Sequence, residues 1–517
     1  MLKISRRHFL AGTAGALVLP GVVHAQIAAP AKGGVLRVSV DQAASVIHPL
    51  LTRVNPEYMV TELLYSNLTR LKPDMSIEPD LATSWSSDDS LTKWTFKLRD
   101  GVTFHDGSPC TADDVVATFK AILDPDNASP GAKNVGPIAD VVAADPTTVE
   151  FTLSAPYSDF PVAVAYTTAR IAPASILESD FQSLSTKAVG TGPFKLVSYE
   201  PDRKIVVERN PDYYDPERPY LDGVEINVYP DYTAEGSALI SGDIDLMSTV
   251  QPTEFLRLRD SDGIDALRTP SGQFCNINFG CDTEPFDDPR VRRALALTID
   301  RDAMVDFVTE GFGQPGNDTP INSAYRFFDG DLPMRQANIE EAKTLLADAG
   351  YADGFEATLI ASDKPSYRTQ LAVALREMAK PAGITINVQT MPHATYLDQV
   401  WKKGNFYVGF YNMQPTADGI FSLLYTSDAA WNETRWNNKD FDKLIVEARQ
   451  TSDESKRADL YAQAQKLMNE DVPSIIPVFF DVMAAKRGWV ENYEVHPRAS
   501  VFRLDLVSLS DEAPTRK

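Results

Sequence analysis

The stretch from Phe355 to Tyr411 constrains this chain more than any other. Phe355–Ala361, Ile384–Thr390 and Phe406–Tyr411 read as strands, and Tyr367–Lys380 and Thr395–Lys402 between them read as helices. A β-α-β-α-β order with connections of this kind calls for a parallel sheet covered by helices. The fold class is therefore α/β. Open parallel sheets hold ligands in the crevice beyond the carboxyl ends of their strands. That rule names three loops. The first carries Asp363, Lys364, Ser366, Tyr367 and Arg368; the second Met391, Pro392, His393 and Tyr396; the third Asn412, Met413, Gln414 and Asp418. Together they offer a guanidinium, aromatic rings and amides, the mixture that orients an organic ligand. Arg368 can clamp a carboxylate through two parallel hydrogen bonds, or can be a solvated arginine on a first helical turn. His393 and Tyr396 are ligand contacts on one reading and loop and helix packing on the other.

Elsewhere the pattern differs. Val35–Val40, Thr148–Leu153, Lys204–Glu208 and Val224–Tyr229 read as strands, and Lys93–Leu98 alternates strictly, with Trp94, Phe96 and Leu98 on one face. A helical stretch lies around Glu57–Leu68, and Thr111 with Asp114 forms a capping box before a second. Residues 33–270 thus read as mixed α+β. Further on, Asp288 precedes Pro289 at a helix start, Asn338 with Glu341 caps another helix, and Gly350 stops it. Helices over Phe441–Gln450 and Asp453–Asn469 lead into an apolar strand or crossover at Pro473–Phe480.

Lys3, Arg6 and Arg7 are the only charges among the first 25 residues, and an apolar, glycine-broken run from Phe9 to Val23 follows. This reads as an export signal, too short to span a bilayer, with cleavage after Ala25. Ser5-Arg6-Arg7-His8-Phe9-Leu10 resembles the twin-arginine signal, which exports proteins already folded. The mature chain is expected to be a free, soluble protein of the bacterial periplasm. The 517 residues carry 49 Lys+Arg and 72 Asp+Glu, a net charge of −23, and losing three basic residues takes it to −26. Such an acidic chain without a basic stripe excludes nucleic acid as partner. Cys110, Cys275 and Cys281 allow one disulfide at most and read as packed thiols.

No H-E-x-x-H, G-x-S-x-G, P-loop or G-x-G-x-x-G occurs, and His48, His105, His393 and His496 stand isolated. No catalytic residue, metal site or cofactor is expected.

Four blocks then carry a family resemblance. They are KWTFKLRDGVTFHDGSPCTADDV at 93–115; Gly190-Thr191-Gly192-Pro193-Phe194 with Glu208 to Tyr214; Ser241-Gly242-Asp243-Ile244-Asp245; and Phe286 to Leu295 ending in Ile299-Asp300-Arg301. In this order they resemble the extracellular solute-binding proteins (family 5) of peptide, nickel and related ABC importers. The resemblance implies a two-lobed periplasmic-binding-protein fold with an extra α+β domain inserted in the first lobe. Its expected boundaries are 26–70, 189–270 and 482–517 for lobe one, 71–188 for the extra domain and 271–481 for lobe two. It also implies a monomer that closes on a small-molecule solute and delivers it to a membrane permease and its ATPase. Arg368 falls near a family arginine that meets the ligand carboxylate, and His393 near an aromatic contact. Phe274, Asn276 and Asn278 enter lobe two as further cleft candidates. Peptide-binding members share a Gly-Trp segment followed by an aspartate for the peptide amine. Here Gly409-Phe410-Tyr411-Asn412-Met413 puts Phe410 for the tryptophan and uncharged Met413 for the aspartate, with Asp418 a substitute after a loop shift. The solute is thus a peptide or peptide-like molecule, or alternatively a metal chelate, an opine-like conjugate or an oligosaccharide. A periplasmic hydrolase is the reading from another class.

Overall fold

A computed structural model describes residues 30–516, and the export segment lies outside the described residues. Its organising element is an eleven-stranded sheet. In chain order the strands are β1 (Val35–Val40), β2 (Phe194–Glu200), β3 (Lys204–Arg209), β4 (Gly223–Val228), β5 (Leu246–Met247), β6 (Ile264–Phe279), β7 (Gly313–Pro315), β8 (Phe355–Ser362), β9 (Ile384–Met391), β10 (Phe406–Tyr411) and β11 (Ser474–Arg487). Across the sheet they run β9-β8-β10-β6-β11-β5-β1-β4-β3-β2, with β7 beside β11. β8 lies parallel to both β9 and β10, as the alternation of strand and helix requires.

β6 and β11 are the long members and run antiparallel along most of their length. At one end Ile264–Pro270 pairs with Asp481–Arg487; at the other Phe274–Asn278 pairs with Ser474–Phe479, and the register shifts between Pro270 and Phe274. No strand is read over 264–279 in the sequence, where Pro270 and Gly272 fall, whereas Pro473–Phe480 reads as a strand or crossover. In this sheet Pro and Gly mark an irregularity inside a strand, a common use of both. The shift separates two apolar cores. One joins Leu36, Val38, Ile205 and Ile226 to Val482, Ala484 and Leu504, and the other joins Ile277, Leu295, Leu359, Leu375, Val408 and Ile475. They are the two lobes.

A separate four-stranded antiparallel sheet, with strands in the order 82–87, 93–98, 148–153 and 138–145, packs on the first lobe. Phe96 and Phe151 point from it into a cluster with Phe119 of the helix Ala112–Leu123, ring centroids 5.0 Å apart for Phe119 and Phe151. Thr111 and Asp114 cap that helix reciprocally, as the sequence predicts.

Four helices of the second lobe matter below: α1 (Tyr367–Ala379), α2 (His393–Gln399), α3 (Ala417–Leu424) and α4 (Glu454–Asp471). α2 starts two residues earlier than its apolar pattern suggests, because Pro392 is followed at once by helical backbone. His393 therefore opens the helix instead of sitting in the loop before it. The three cysteines are free thiols, Cys275 fully buried in β6.

Candidate functional site

The chain passes from β8 through α1 to β9 on one side of β8, then through α2 to β10 on the other. The carboxyl ends of these strands therefore splay their loops apart, the geometry that opens a crevice. A cavity of about 360 Å³ lies there, within the range usual for small-molecule sites. Arg368 comes from α1, His393, Tyr396 and Leu397 from α2, and Trp401 from the turn behind it. Gly409, Phe410 and Tyr411 come from β10, and Asn412, Gln414, Trp431 and Glu433 from loops beyond.

Arg368 is 7% exposed, and its Nε and Nη1 have no hydrogen-bond partner. Its guanidinium lies 5.4 Å from the Tyr396 ring centroid and 5.9 Å from that of Phe410. Aromatic faces hold a cation in place without satisfying its N–H groups. A desolvated guanidinium left this way is costly unless something occupies the cavity. Tyr396 is itself fixed, donating to the Val408 carbonyl at 2.8 Å, and His393 stacks on it with Nδ1 2.9 Å from Ser362 Oγ. Opposite, Trp401 and Trp431 meet edge to face at 5.4 Å, and the Trp401 indole donates to the Tyr411 hydroxyl at 3.3 Å.

Glu433 is the one acid among the lining residues. Burial pushes its carboxyl up to about 7, against the downward pull of Tyr411, Asn278 and Arg368. Beneath the cavity floor Asn276 donates to Asn278 at 2.7 Å, and Asn278 donates to Glu433 Oε2 at 2.6 Å. Gly409 is what lets this chain of amides lie against β10. A methyl group there would collide with Asn276 Oδ1 and come within 2.9 Å of Asn278 Nδ2.

Of the residues the sequence singled out, Arg368, His393, Tyr396, Phe410 and Tyr411 meet at this cavity. Asn276 sits under its floor. Tyr367 turns away: packed between Phe410 and Phe480, it lines a neighbouring cavity of about 220 Å³ that also touches Asn55 and Gln251 of the first lobe. Phe274 and Met413 are not among the residues lining this cavity; they lie 0% and 2% exposed in one apolar cluster, where Phe274 packs on Phe479. Asp418 is likewise no free carboxylate. It lies in the first turn of α3 and accepts from Arg449 Nη2 at 3.1 Å and from Ser422 at 3.2 Å. Leu397, Trp401, Trp431 and Glu433 were not anticipated. Trp431 and Glu433 sit in a segment without periodicity; the available signal was tryptophan density, three of the chain's six falling between 401 and 436.

Two lobes joined by paired crossing strands, with a polar, aromatic-walled cavity at the ends of a parallel sheet, define a protein that encloses a small molecule. Residues 76–433 match the family model described as "Bacterial extracellular solute-binding proteins, family 5 Middle", and the chain belongs to that family. It is 29% identical over 452 residues to the glutathione-binding protein GsiB of Escherichia coli O1:K1, covering 85% of this chain and 87% of that one. The substrate-binding protein CtaP of Listeria monocytogenes superposes with a TM-score of 0.83 at 25% identity, over 92% of this chain and 99% of that one. DppA of Helicobacter pylori, solved with the peptide STSA, superposes at 0.75 and 26% identity, over 93% and 98%. The chain is accordingly the substrate-binding component of an ABC importer.

Proposed function

We propose that this protein captures a peptide or peptide-like solute in the bacterial periplasm and hands it to an inner-membrane permease and its ATPase. The observation that carries this reading is the Arg368 guanidinium, buried against Tyr396 and Phe410 with two nitrogen atoms unpartnered. Such a group suits a ligand carboxylate, which accepts two N–H bonds in one plane. The glutathione-binding and peptide-bound relatives support the same class of solute. Ligand touching both lobes favours their closed arrangement, and closure is what a permease reads. The protein acts as a monomer without catalysis, exported through a twin-arginine signal cleaved near Ala25. Lobe one spans 26–70, 189–270 and 482–517, the extra domain 71–188, and lobe two 271–481.

The alternative within the same role is a metal chelate, an opine-like conjugate or an oligosaccharide. Met413 in place of an aspartate favours it. Native mass spectrometry of the purified protein, followed by denaturation and fragmentation of whatever is released, decides between them. A fragment series of amino-acid residues is expected. Release of a sugar conjugate or a chelate overturns the peptide reading and leaves the transport role standing.

A further inference from the structure

The first lobe has a crevice of its own. β1 lies parallel to β4 on one side and to β5 on the other, and the chain crosses over β1 from β4 to β5 through the helix Tyr232–Ser241. The carboxyl end of β1 is therefore the same kind of position as the crevice of the second lobe. A small cavity of about 10 Å³ lies there, with room for about one water-sized sphere. Ser39 and Asp41 reach it from the end of β1, Ser248 and Thr249 from the residues after β5, Glu235 from the first turn of the crossover helix, and Asn55 from the helix Asn55–Leu64. Each of these side chains carries an oxygen acceptor, and no Lys, Arg or His is among the lining residues.

Glu235 singles this cavity out. It is 1% exposed, and its Oε2 has no hydrogen-bond partner. Burial pushes its carboxyl up to about 7 against the downward pull of the Ser39 hydroxyl, and Asp41 and Glu254 add to the rise. Glu254 is already held by Arg257 at 3.1 Å, which leaves Glu235 and Asp41 as two carboxylates lining one small space. Desolvated carboxylates with no cation between them are costly, and a bound cation removes that cost. We propose that this cavity is a calcium site of the first lobe, held by Glu235 and Asp41 and completed by oxygens of Ser39, Asn55, Ser248 and Thr249.

Charge and size choose the ion. Two carboxylates balance a divalent cation, and carboxylate, hydroxyl and amide oxygens suit a hard one. The space admits a bare ion and not one that keeps its waters. Calcium takes about six to eight oxygens in loose geometry, whereas magnesium dehydrates reluctantly and keeps several waters. With only two acids among its ligands the site is weak, in the range of about 0.1–1 mM found for extracellular calcium modules. Asn55 and Thr249 also line the cavity of about 220 Å³ between the lobes, so a bound ion fixes the wall that lobe one presents to the cleft. The proposal is independent of which solute the protein carries.

The test is equilibrium dialysis of the EDTA-treated protein against calcium chloride or magnesium chloride, spanning about 0.1–3 mM, with bound ion counted by elemental analysis and thermal unfolding followed in parallel. One calcium per chain is expected, with little magnesium, and calcium alone should raise the melting temperature by a few degrees. Glu235→Gln and Asp41→Asn should each lose that ion and that shift, with circular dichroism confirming that they fold. Should Glu235→Gln fail to fold, Asp41→Asn, at a half-buried position, decides by the same criterion. Absence of calcium uptake by the wild type overturns the proposal without any variant and assigns the space to an ordered water. Equal uptake of magnesium also overturns it, because surface carboxylates of so acidic a chain bind both ions alike. The proposal falls as well if a folded variant keeps the ion. The solute-binding reading stands under each of these outcomes.

Discussion

Arg457 of α4 donates to Asp159 at 2.5 Å, and this buried pair ties the second lobe to the loop that follows the small four-stranded sheet. Both side chains are at most 7% exposed, and the guanidinium also lies 4.8 Å from the Phe327 ring centroid. Ser158 adds a backbone bond to the Arg449 carbonyl at 3.0 Å. Removing one partner of a buried ion pair leaves the other charge uncompensated, at a cost of about 3–5 kcal/mol. Because the pair joins the second lobe to the extra domain that packs on the first, that cost falls on the arrangement in which they touch. Asp159→Asn is therefore expected to weaken solute binding more than tenfold and to enlarge the radius of gyration in small-angle scattering. Wild-type affinity and an unchanged radius would remove the pair from lobe closure.

Much of this architecture is legible in the sequence. Three strands and α1 of the β-α-β-α-β unit fall within a residue of their expected ends, since period and length there agree. The crevice rule then points to Arg368, His393 and Tyr396 without any view of side chains. What stays hidden has a common cause. Glu433 and Trp431 reach the cavity from a loop that returns about 20 residues after β10, and no local pattern encodes such a return. Asp418 looks free because the sequence does not display Arg449, which lies across the α3 face. The long strand β6 escapes notice because Pro270 and Gly272, residues common in turns, interrupt its pattern and serve here at a register shift within the strand.

Gly409 has a measurable consequence of its own. Its position is fixed by space, since an added methyl meets Asn276 Oδ1 and Asn278 Nδ2. Overpacking of this kind costs roughly 1–3 kcal/mol. Gly409→Ala should lower the unfolding free energy in urea by that amount and, by displacing the amides under Glu433, weaken solute binding as well. A wild-type unfolding curve would show that β10 yields without strain.

Asp505 supplies a prediction about acid. It accepts from Arg70 at 3.0 Å and Arg503 at 3.2 Å, with Arg218 3.5 Å away. Burial alone would raise its carboxyl, but Arg503 and Arg70 outweigh that and hold it at about 2. The folded value lies below the unfolded one near 3.9, so the stabilisation is complete above that pH and is lost as pH falls toward 2. Unfolding free energies for Asp505→Asn should lie below wild type at pH 6 and converge on it near pH 2. Parallel curves across that range would contradict the assignment.

Arg368 tests the candidate solute cavity. Its hydrogen bonds to a ligand carboxylate are charge-assisted, and each is worth about 1.5–3 kcal/mol. Arg368→Ala loses both and should therefore weaken a carboxylate-bearing solute by roughly 100-fold or more, at about 1.4 kcal/mol per tenfold. Arg368→Lys keeps the charge but not the planar fork, and an ammonium offers a single point of attraction where the guanidinium offers two parallel bonds. Lysine is expected to recover only part of the loss. A carboxyl-amidated ligand separates binding from packing, since amidation should cost the wild type much and Arg368→Ala nothing. If amidation weakens both proteins equally, the carboxylate is held elsewhere, and Arg368 serves only to pack Tyr396 against Phe410.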